Sequence, residues 1–266
     1  MSAIDSHYAS DRNLAARQRL WQVSARVPDF DFHSWVLDVA AITEHERVVE
    51  VGCGNGAYLE RLPTAVGLDR SAGMVASART HVENGLLAGD VVALPLTDGA
   101  FDVVLAPHML YHVADRVAVA HELRRVLAPN GRCIAVTNGS DNHREMVRLV
   151  EDVVGNGWRW MRMDRASTLE NGGAQLATAF DDVEQIDAPA SAVHVTDADA
   201  FADYIGSIAD LFEPQVRAWI AWADVVDECR ERAAATIDRD GAFQISSVFG
   251  AFVCRSRLHR VTAGRD

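Results

Sequence analysis

The sequence contains no lysine, so all 25 of its Lys and Arg side chains are arginine. That absence removes Schiff-base chemistry, a lysine general base and any P-loop, which needs a Gly-Lys pair. Genomic base composition accounts for a bias this complete. Cysteine is scarce, and Cys53, Cys133, Cys229 and Cys254 stand far apart with no C-x-x-C pair. Such spacing fits reduced thiols that behave as small buried hydrophobes in a cytoplasmic protein. No apolar run reaches the roughly 18 residues of a membrane span, and MSAIDSHYASDRN at the start lacks an apolar signal core. The sequence therefore predicts neither membrane insertion nor secretion.

Basic runs are missing too. The formal charge of −13 is spread along the chain, without the cationic footprint that draws proteins to phosphate backbones. Nucleic acid is not an expected partner; a neutral or cationic small molecule, or an acidic carrier protein met through a local Arg patch, is compatible with that field. No G-x-S-x-G elbow anchors a hydrolase triad, and the scattered His and Cys form no metal-ligand spacing, so no metal is expected.

What is present is an ordinary globular composition, 49% hydrophobic and 24% charged over 266 residues, enough for a sizeable core. Residues 10–26 and 34–42 read as helices. Strand-like runs follow at 47–51, 65–69, 86–90, 102–107 and 133–139, separated by helical stretches such as SAGMVASARTHV and DRVAVAHELRRVL. Alternation of this kind implies parallel pairing through right-handed crossovers, hence a doubly wound α/β sheet with its ligands beyond the carboxyl ends of the strands. After residue 140 longer helical patterns take over, and AFQISSVFGAFVCRSR reads as a last strand returning to the sheet.

The stretch VVEVGCGNGAYLERL places a strand ending near Glu50 against Gly52, Cys53, Gly54, Asn55 and Gly56. A turn of this kind exposes backbone N–H groups at a helix start and suits an anion. Ala57 completes a G-x-G-x-x-A spacing, which leaves a nicotinamide dinucleotide open, although Asp69 arrives earlier than the usual ribose acid.

Four ordered motifs, VVEVGCGNG, GLDRSAGM, AGDVVALPLTDGAFDVVLAPHMLYHV and ELRRVLAPNGRCIAV, span roughly 47–139. Over this stretch the chain resembles the class I S-adenosylmethionine-dependent methyltransferases of the type 11 group, related to ubiquinone and menaquinone biosynthesis. The resemblance implies a Rossmann-like, seven-stranded, mostly parallel sheet in a single domain over 1–266: a helical cap at 1–46, a cofactor-binding half at 47–139 and a substrate-side half with a helical insertion at 140–266. It implies S-adenosyl-L-methionine as cofactor and S-adenosyl-L-homocysteine as product. Residues Glu50, Gly52, Cys53, Gly54 and Gly56 would cradle the methionine end, Asp69 the ribose hydroxyls and Asp90 the adenine amine, with Val91 and Met74 on the ring faces. Arg70 and Pro107 would line the pocket, and Tyr8, Asn13 and Arg17 of the N-terminal helix would close over it. Leu96 stands where the family commonly has Phe, and Asn130 replaces the first Gly of a Pro-Gly-Gly turn, a place where Asn tolerates a left-handed backbone.

The implied function is methyl transfer to O, N or C of a small-molecule acceptor, with bacterial secondary metabolism as the expected setting. A carrier-bound or peptide acceptor stays open, and a homodimer is compatible. A nicotinamide oxidoreductase and a catalytically silent cofactor-binding module are the alternatives. A sulfonium methyl is already activated, so the protein's main task is alignment of an acceptor lone pair about 3 Å from it. If the acceptor carries a proton, His108 and His112 in APHMLYHV are the candidate bases, with His143 and Tyr111 behind them. The aromatics of WRWMRM at 158–163, with Phe201, Tyr204 and Phe212, are read as core or as a wall for a flat acceptor.

Overall fold

The computed structural model describes residues 7–83, 85–160 and 167–256. The chain opens with helix α1 (Arg12–Val23), a short strand β1 (Ala25–Val27) and helix α2 (Phe32–Ala40). Asp31 caps α2 by accepting from the backbone N–H groups of His33 and Ser34, two donors that otherwise lack partners at a helix start. The helix ends at Ala41, and Arg132 closes that end, donating to the carbonyls of Ala40 and Ala41 while its other nitrogens hold Glu46.

The α/β half follows: β2 (Val48–Val51), β3 (Val66–Asp69), α3 (Ala72–Ala78), β4 (Leu86–Ala88), β5 (Phe101–Pro107), α4 (Arg116–Val126) and β6 (Leu127–Asn138). Strands β2 to β6 run parallel, and β2 is buried along its whole length, as a continuous VVEV run in a sheet covered on both faces requires. The second half comprises α5 (Arg144–Val154), α6 (Leu169–Leu176), β7 (Asp182–Asp187), β8 (Ser191–Val195), α7 (Ala198–Ser207), α8 (Ala209–Val216), α9 (Trp222–Asp240), β9 (Phe243–Ser247) and β10 (Phe249–Arg255). The main sheet has seven strands in the order β4-β3-β2-β5-β6-β10-β7, with β10 antiparallel to both neighbours. The seven-stranded, mostly parallel architecture matches the sequence expectation.

Three differences stand out. A second sheet, β1-β8-β9, is antiparallel and ties the N-terminal cap to the C-terminal half. The terminal run expected as one strand is two, because Val248 turns the chain: its N–H donates to Asn142 Oδ1 and its carbonyl accepts from Gly139 N–H. Finally, no α-helix follows the glycine turn; Leu59–Arg61 is a single 3-10 turn, so a long helix dipole does not point at the site. Asn130 does take the left-handed backbone, at φ 67°.

Apolar residues cover both faces of the main sheet, Val49, Val104 and Leu123 on one side and Val36, Leu105 and Val253 on the other. A third cluster under the cap joins Leu20, Met146, Phe201, Phe212 and Trp222. On β10, Phe252 lies against the bare backbone of Gly172 and Gly173 in α6, where an added Cβ at Gly172 would come within 2.8 Å of its ring. Phe252→Ala is expected to cost about 3–5 kcal/mol through lost burial and the cavity left behind. Urea denaturation measures it; a loss below 1 kcal/mol would show that α6 collapses to fill the space.

Candidate functional site

Every strand of the parallel half ends at one place. A cavity of about 1630 Å³ lies beyond the carboxyl ends of β2, β3 and β5, roofed by α1 and the segment leading to α2. Such a volume exceeds the roughly 300–1,000 Å³ of a pocket for one drug-sized ligand. Two small molecules can therefore occupy it together.

The glycine turn forms its floor. Gly52 and Gly54 have φ of 77° and 54°, a region that L side chains rarely adopt, and a Cβ at Gly52 would fall 2.8 Å from that of Met109. The turn's own donors are largely spent inside the protein. The N–H groups of Gly52 and Cys53 both donate to Leu68 O, that of Gly54 to Asp69 Oδ2 and that of Gly56 to Cys53 O. Among the described residues none accepts from the N–H of Asn55 or Ala57, two residues that line the cavity.

Asp69 closes β3 and is fixed from two sides, Gly54 N–H on Oδ2 and Ser71 N–H on Oδ1. Burial raises its pKa, and these backbone donors oppose the rise. A carboxylate has about four lone-pair directions, so each oxygen keeps capacity for a further donor. Glu50 is 1% exposed, and its Oε2 has no hydrogen-bond partner among the described residues. Burial, with the neighbouring Asp69 charge, lifts its pKa well above the ordinary carboxylate value. An orphaned buried carboxylate oxygen on a cavity wall calls for a ligand donor or cation. Asp90, after β4, accepts from Val92 N–H at the start of a 3-10 turn, with Val91 buried beside it.

Of the residues expected at the cofactor, Tyr8, Glu50, Gly52, Cys53, Gly54, Asp69, Arg70, Met74, Asp90, Val91 and Pro107 all line this cavity. Gly56 does not. Its φ of 90° and the 3.3 Å from a built Cβ to that of Ala78 give it a role in the turn against α3. Asn13 also lies off the cavity, its amide donating to His7 O and Asp210 Oδ2. Arg17 reaches it, with Nη2 donating to the Tyr8 hydroxyl at 3.4 Å. The N-terminal segment is held down by Ser71 Oγ donating to Tyr8 O at 2.6 Å, while Gly73 leaves room for Ala9 O.

The two candidate bases differ. His112 Nε2 is 3.0 Å from the Tyr8 hydroxyl, so it is engaged in holding the cap. His108 sits on a left-handed corner, φ 52°, directly after β5, its ring 5.2 Å from that of Phe32. No described residue hydrogen-bonds its ring nitrogens. Burial, followed by neighbouring cations, lowers His112 to about 3; burial, followed by His33, lowers His108 to about 4. His143 lies against Trp21 at 4.8 Å and is likewise lowered by burial to about 3. Tyr111 and Tyr204 line the cavity, whereas Trp158, Phe201 and Phe212 are in the core under the cap. Of the WRWMRM cluster, Met161, Arg162 and Met163 lie outside the described residues. The described residues contain no cluster of three or more His, Cys, Asp or Glu placed for a metal, and no helix long and apolar enough to cross a membrane. All four cysteines are free and buried.

Sequence reasoning missed other residues that line the cavity: Trp21, Arg26, Phe30, Phe32, His33, Asn138 and Phe249. Only the alternating Phe residues of DFDF, at 30 and 32, hinted at an extended segment presenting one face.

This strand order, with a glycine turn after β2 and acids after β3 and β4, is the class I methyltransferase arrangement. Residues 49–135 match the methyltransferase domain family, and this part of the chain is a methyltransferase domain of the type 11 group. A methyltransferase-named protein of Encephalitozoon cuniculi is 33% identical over 130 residues, 47% of this chain and 56% of that protein. A demethylmenaquinone methyltransferase of Thermus thermophilus is 35% identical over 119 residues, 41% of this chain and 54% of its own length. The chain thus spans about half the length of these relatives. Among solved structures, a protein of Bacillus halodurans described as a methyltransferase superposes with a TM-score of 0.55 at 16% identity, covering 85% of this chain and 99% of its own, a likeness of fold.

A depressed histidine pKa has a definite sign. His108 has an unfolded value of 6.5 and a folded value of about 4, so below pH 6.5 the unfolded state binds a proton that the native state refuses. Stability is lost as pH falls through that window, while the raised Glu50 and Asp69 act in the opposite direction. Comparison with His108→Asn, a residue that tolerates the same backbone, isolates the effect. Between pH 7.5 and 5 the wild type is expected to lose about 2 kcal/mol more than the variant. Parallel urea curves for both proteins, or a larger loss in the variant, would contradict the burial of a neutral ring.

Proposed function

We propose that this chain binds S-adenosyl-L-methionine across the glycine turn and transfers its methyl group to a small-molecule acceptor held under the cap. The observation that carries the reading is the orphaned Glu50 Oε2 on the same wall as Asp69 and Asp90. The residues fit the cofactor. Glu50 offers an acceptor for the α-ammonium group, and the free N–H groups of Asn55 and Ala57 suit the carboxylate. Asp69, already oriented by the backbone, has remaining lone pairs for a vicinal diol; Asp90 has them for an exocyclic amine, and Met74 and Val91 supply apolar faces. Tyr8, Arg70 and Pro107 close the pocket's sides.

When bound, the sulfonium supplies a methyl group activated for displacement by an acceptor lone pair, with the electron pair of the broken carbon–sulfur bond returning to sulfur. The protein aligns the acceptor and keeps the chamber dry, with Trp21, Phe30, Phe32 and Phe249 as its walls. For a hydroxyl or ammonium acceptor, His108 takes the proton: its ring is neutral, lines the cavity and has no hydrogen-bond partner among the described residues. His112 is a positioning residue, held through Tyr8. Relatives matched over this part of the chain are named for different acceptors, demethylmenaquinone in one and 27-O-demethylrifamycin SV in another, so the acceptor is set by the flanking segments rather than by residues 49–135.

Calorimetry with S-adenosylhomocysteine and with NAD tests the reading. S-adenosylhomocysteine is expected to bind in the micromolar range and NAD not at all. Asp90→Ala, which among the described residues removes a carboxylate that holds only the Val92 N–H, is expected to weaken S-adenosylhomocysteine about tenfold, the loss of one charge-assisted hydrogen bond. Preference for NAD, or binding of neither, overturns the assignment. A mass gain of one methyl group on a metabolite incubated with the cofactor would separate an enzyme from a silent binding module.

A further inference from the structure

Arg26 lines the cavity and has no counter-charge among the described residues. Arg26 sits in β1, the strand that joins the cap to the small sheet, opposite Val193 of β8. Its Nη1 donates to Ser247 Oγ at 2.8 Å and Ser191 Oγ at 3.1 Å. The guanidinium lies 5.8 Å from the centroid of Phe249 and 6.0 Å from that of Phe30. Among the described residues no carboxylate forms an ion pair with it, and none accepts from Nε or Nη2. The acids nearby are committed elsewhere. Asp31 is bound by Arg61 and the start of α2, and Glu145 by Ser246 and Arg144. Partly buried charges are ordinarily paired, because removing an ion from water costs several kcal/mol unless a partner compensates. Two neutral hydroxyls and two ring faces orient this guanidinium without neutralising it.

The surroundings define what would. Arg26 lines the cavity together with Trp21, Phe30, Phe32, His143 and Phe249. We infer that Arg26 is the anchor for the methyl acceptor and that this acceptor is a planar, aromatic carboxylate, its anionic group held by the guanidinium edge and its ring lying against the aromatic surface that Phe30, Phe32 and Phe249 form together. The inference rests on the methyltransferase reading for the word acceptor; the anion site itself does not. A guanidinium edge matches the two oxygens of a carboxylate in a bidentate pair. With Nη1 held by the two serines, Nε and Nη2 present one guanidinium edge, which the two coplanar oxygens of a carboxylate match. In a chain of formal charge −13, such a local cation also selects where an anion can enter at all. Burial alone lowers the pKa of Arg26, with no acid near enough to oppose it.

The test uses 4-hydroxybenzoate, 4-hydroxybenzamide and phenyl phosphate as probes, titrated into the full chain with and without saturating S-adenosylhomocysteine. The expected result is that 4-hydroxybenzoate binds at least tenfold more tightly than the amide. Arg26→Gln is expected to abolish that preference while leaving the S-adenosylhomocysteine affinity unchanged, and Arg26→Lys to retain part of it. Far-UV circular dichroism confirms that the variants fold. A preference that survives in Arg26→Gln overturns the proposal, as does equal binding of acid and amide. Tighter binding of phenyl phosphate overturns the carboxylate assignment, and failure of every probe at millimolar concentration overturns the anion site. Failure of S-adenosylhomocysteine alone, with the carboxylate preference intact, would sink the methyltransferase reading and leave Arg26 as an anion site.

Discussion

The site depends on how the turn after β2 is fastened to the end of β3. Leu68 O accepts from both Gly52 and Cys53, and Asp69 Oδ2 accepts from Gly54. These three bonds fix the loop against the neighbouring strand, so the free N–H groups of Asn55 and Ala57 and the carboxylates of Glu50 and Asp69 keep a constant relation. The glycines are needed for the bend rather than for their own donors. Positive φ at Gly52 and Gly54 lets the chain reverse within the width of one strand spacing, and Met109 fills the space a side chain would have taken. Pre-arranged donors and acceptors of this kind do not have to reorganise when charge is present, which is where alignment derives its worth.

Much of this half was legible in the residues because parallel strands are buried on both faces and show as unbroken apolar runs. VVEV and DVVLAP could hardly be anything else, and the acids that end GLD and AGD fall where such a sheet exposes its ligands. The expectation of a helix start beyond the glycines was wrong for a local reason: Leu59–Arg61 forms only a 3-10 turn before the chain runs into β3. Gly56 was assigned to the ligand by its place in the motif, yet packing against Ala78 accounts for it. A motif records which residues a turn needs without separating bend from contact.

The second half was harder to read. Strand β7 (Asp182–Asp187) is an edge strand with no fully buried residue, so its sequence, DVEQID, carries no strong apolar alternation. Strands β1 and β8 are short and find their partners across more than 160 residues, a pairing that no local pattern announces. The continuous run through Val248 concealed a corner because the cause, Asn142 and Gly139, lies a hundred residues earlier. The aromatic question resolved by position: Phe201 and Phe212 face the interior of the cap cluster, while Tyr204 on the same helix as Phe201 reaches the cavity.

Two electrostatic environments therefore meet in one chamber. The wall built by the parallel sheet carries the carboxylates of Glu50 and Asp69, whose pKa values burial raises. The second environment, contributed by the cap and the small sheet, carries Arg17 and Arg26 among aromatic rings. A positively charged cofactor on the first wall and an anion on the second would each meet the sign it requires, and their mutual attraction would draw the reacting groups together between them. The first wall is fixed by the sheet. The second draws Arg26 from β1 and Ser247 from β9, elements outside the matched family segment, so its chemistry can change without disturbing the matched half.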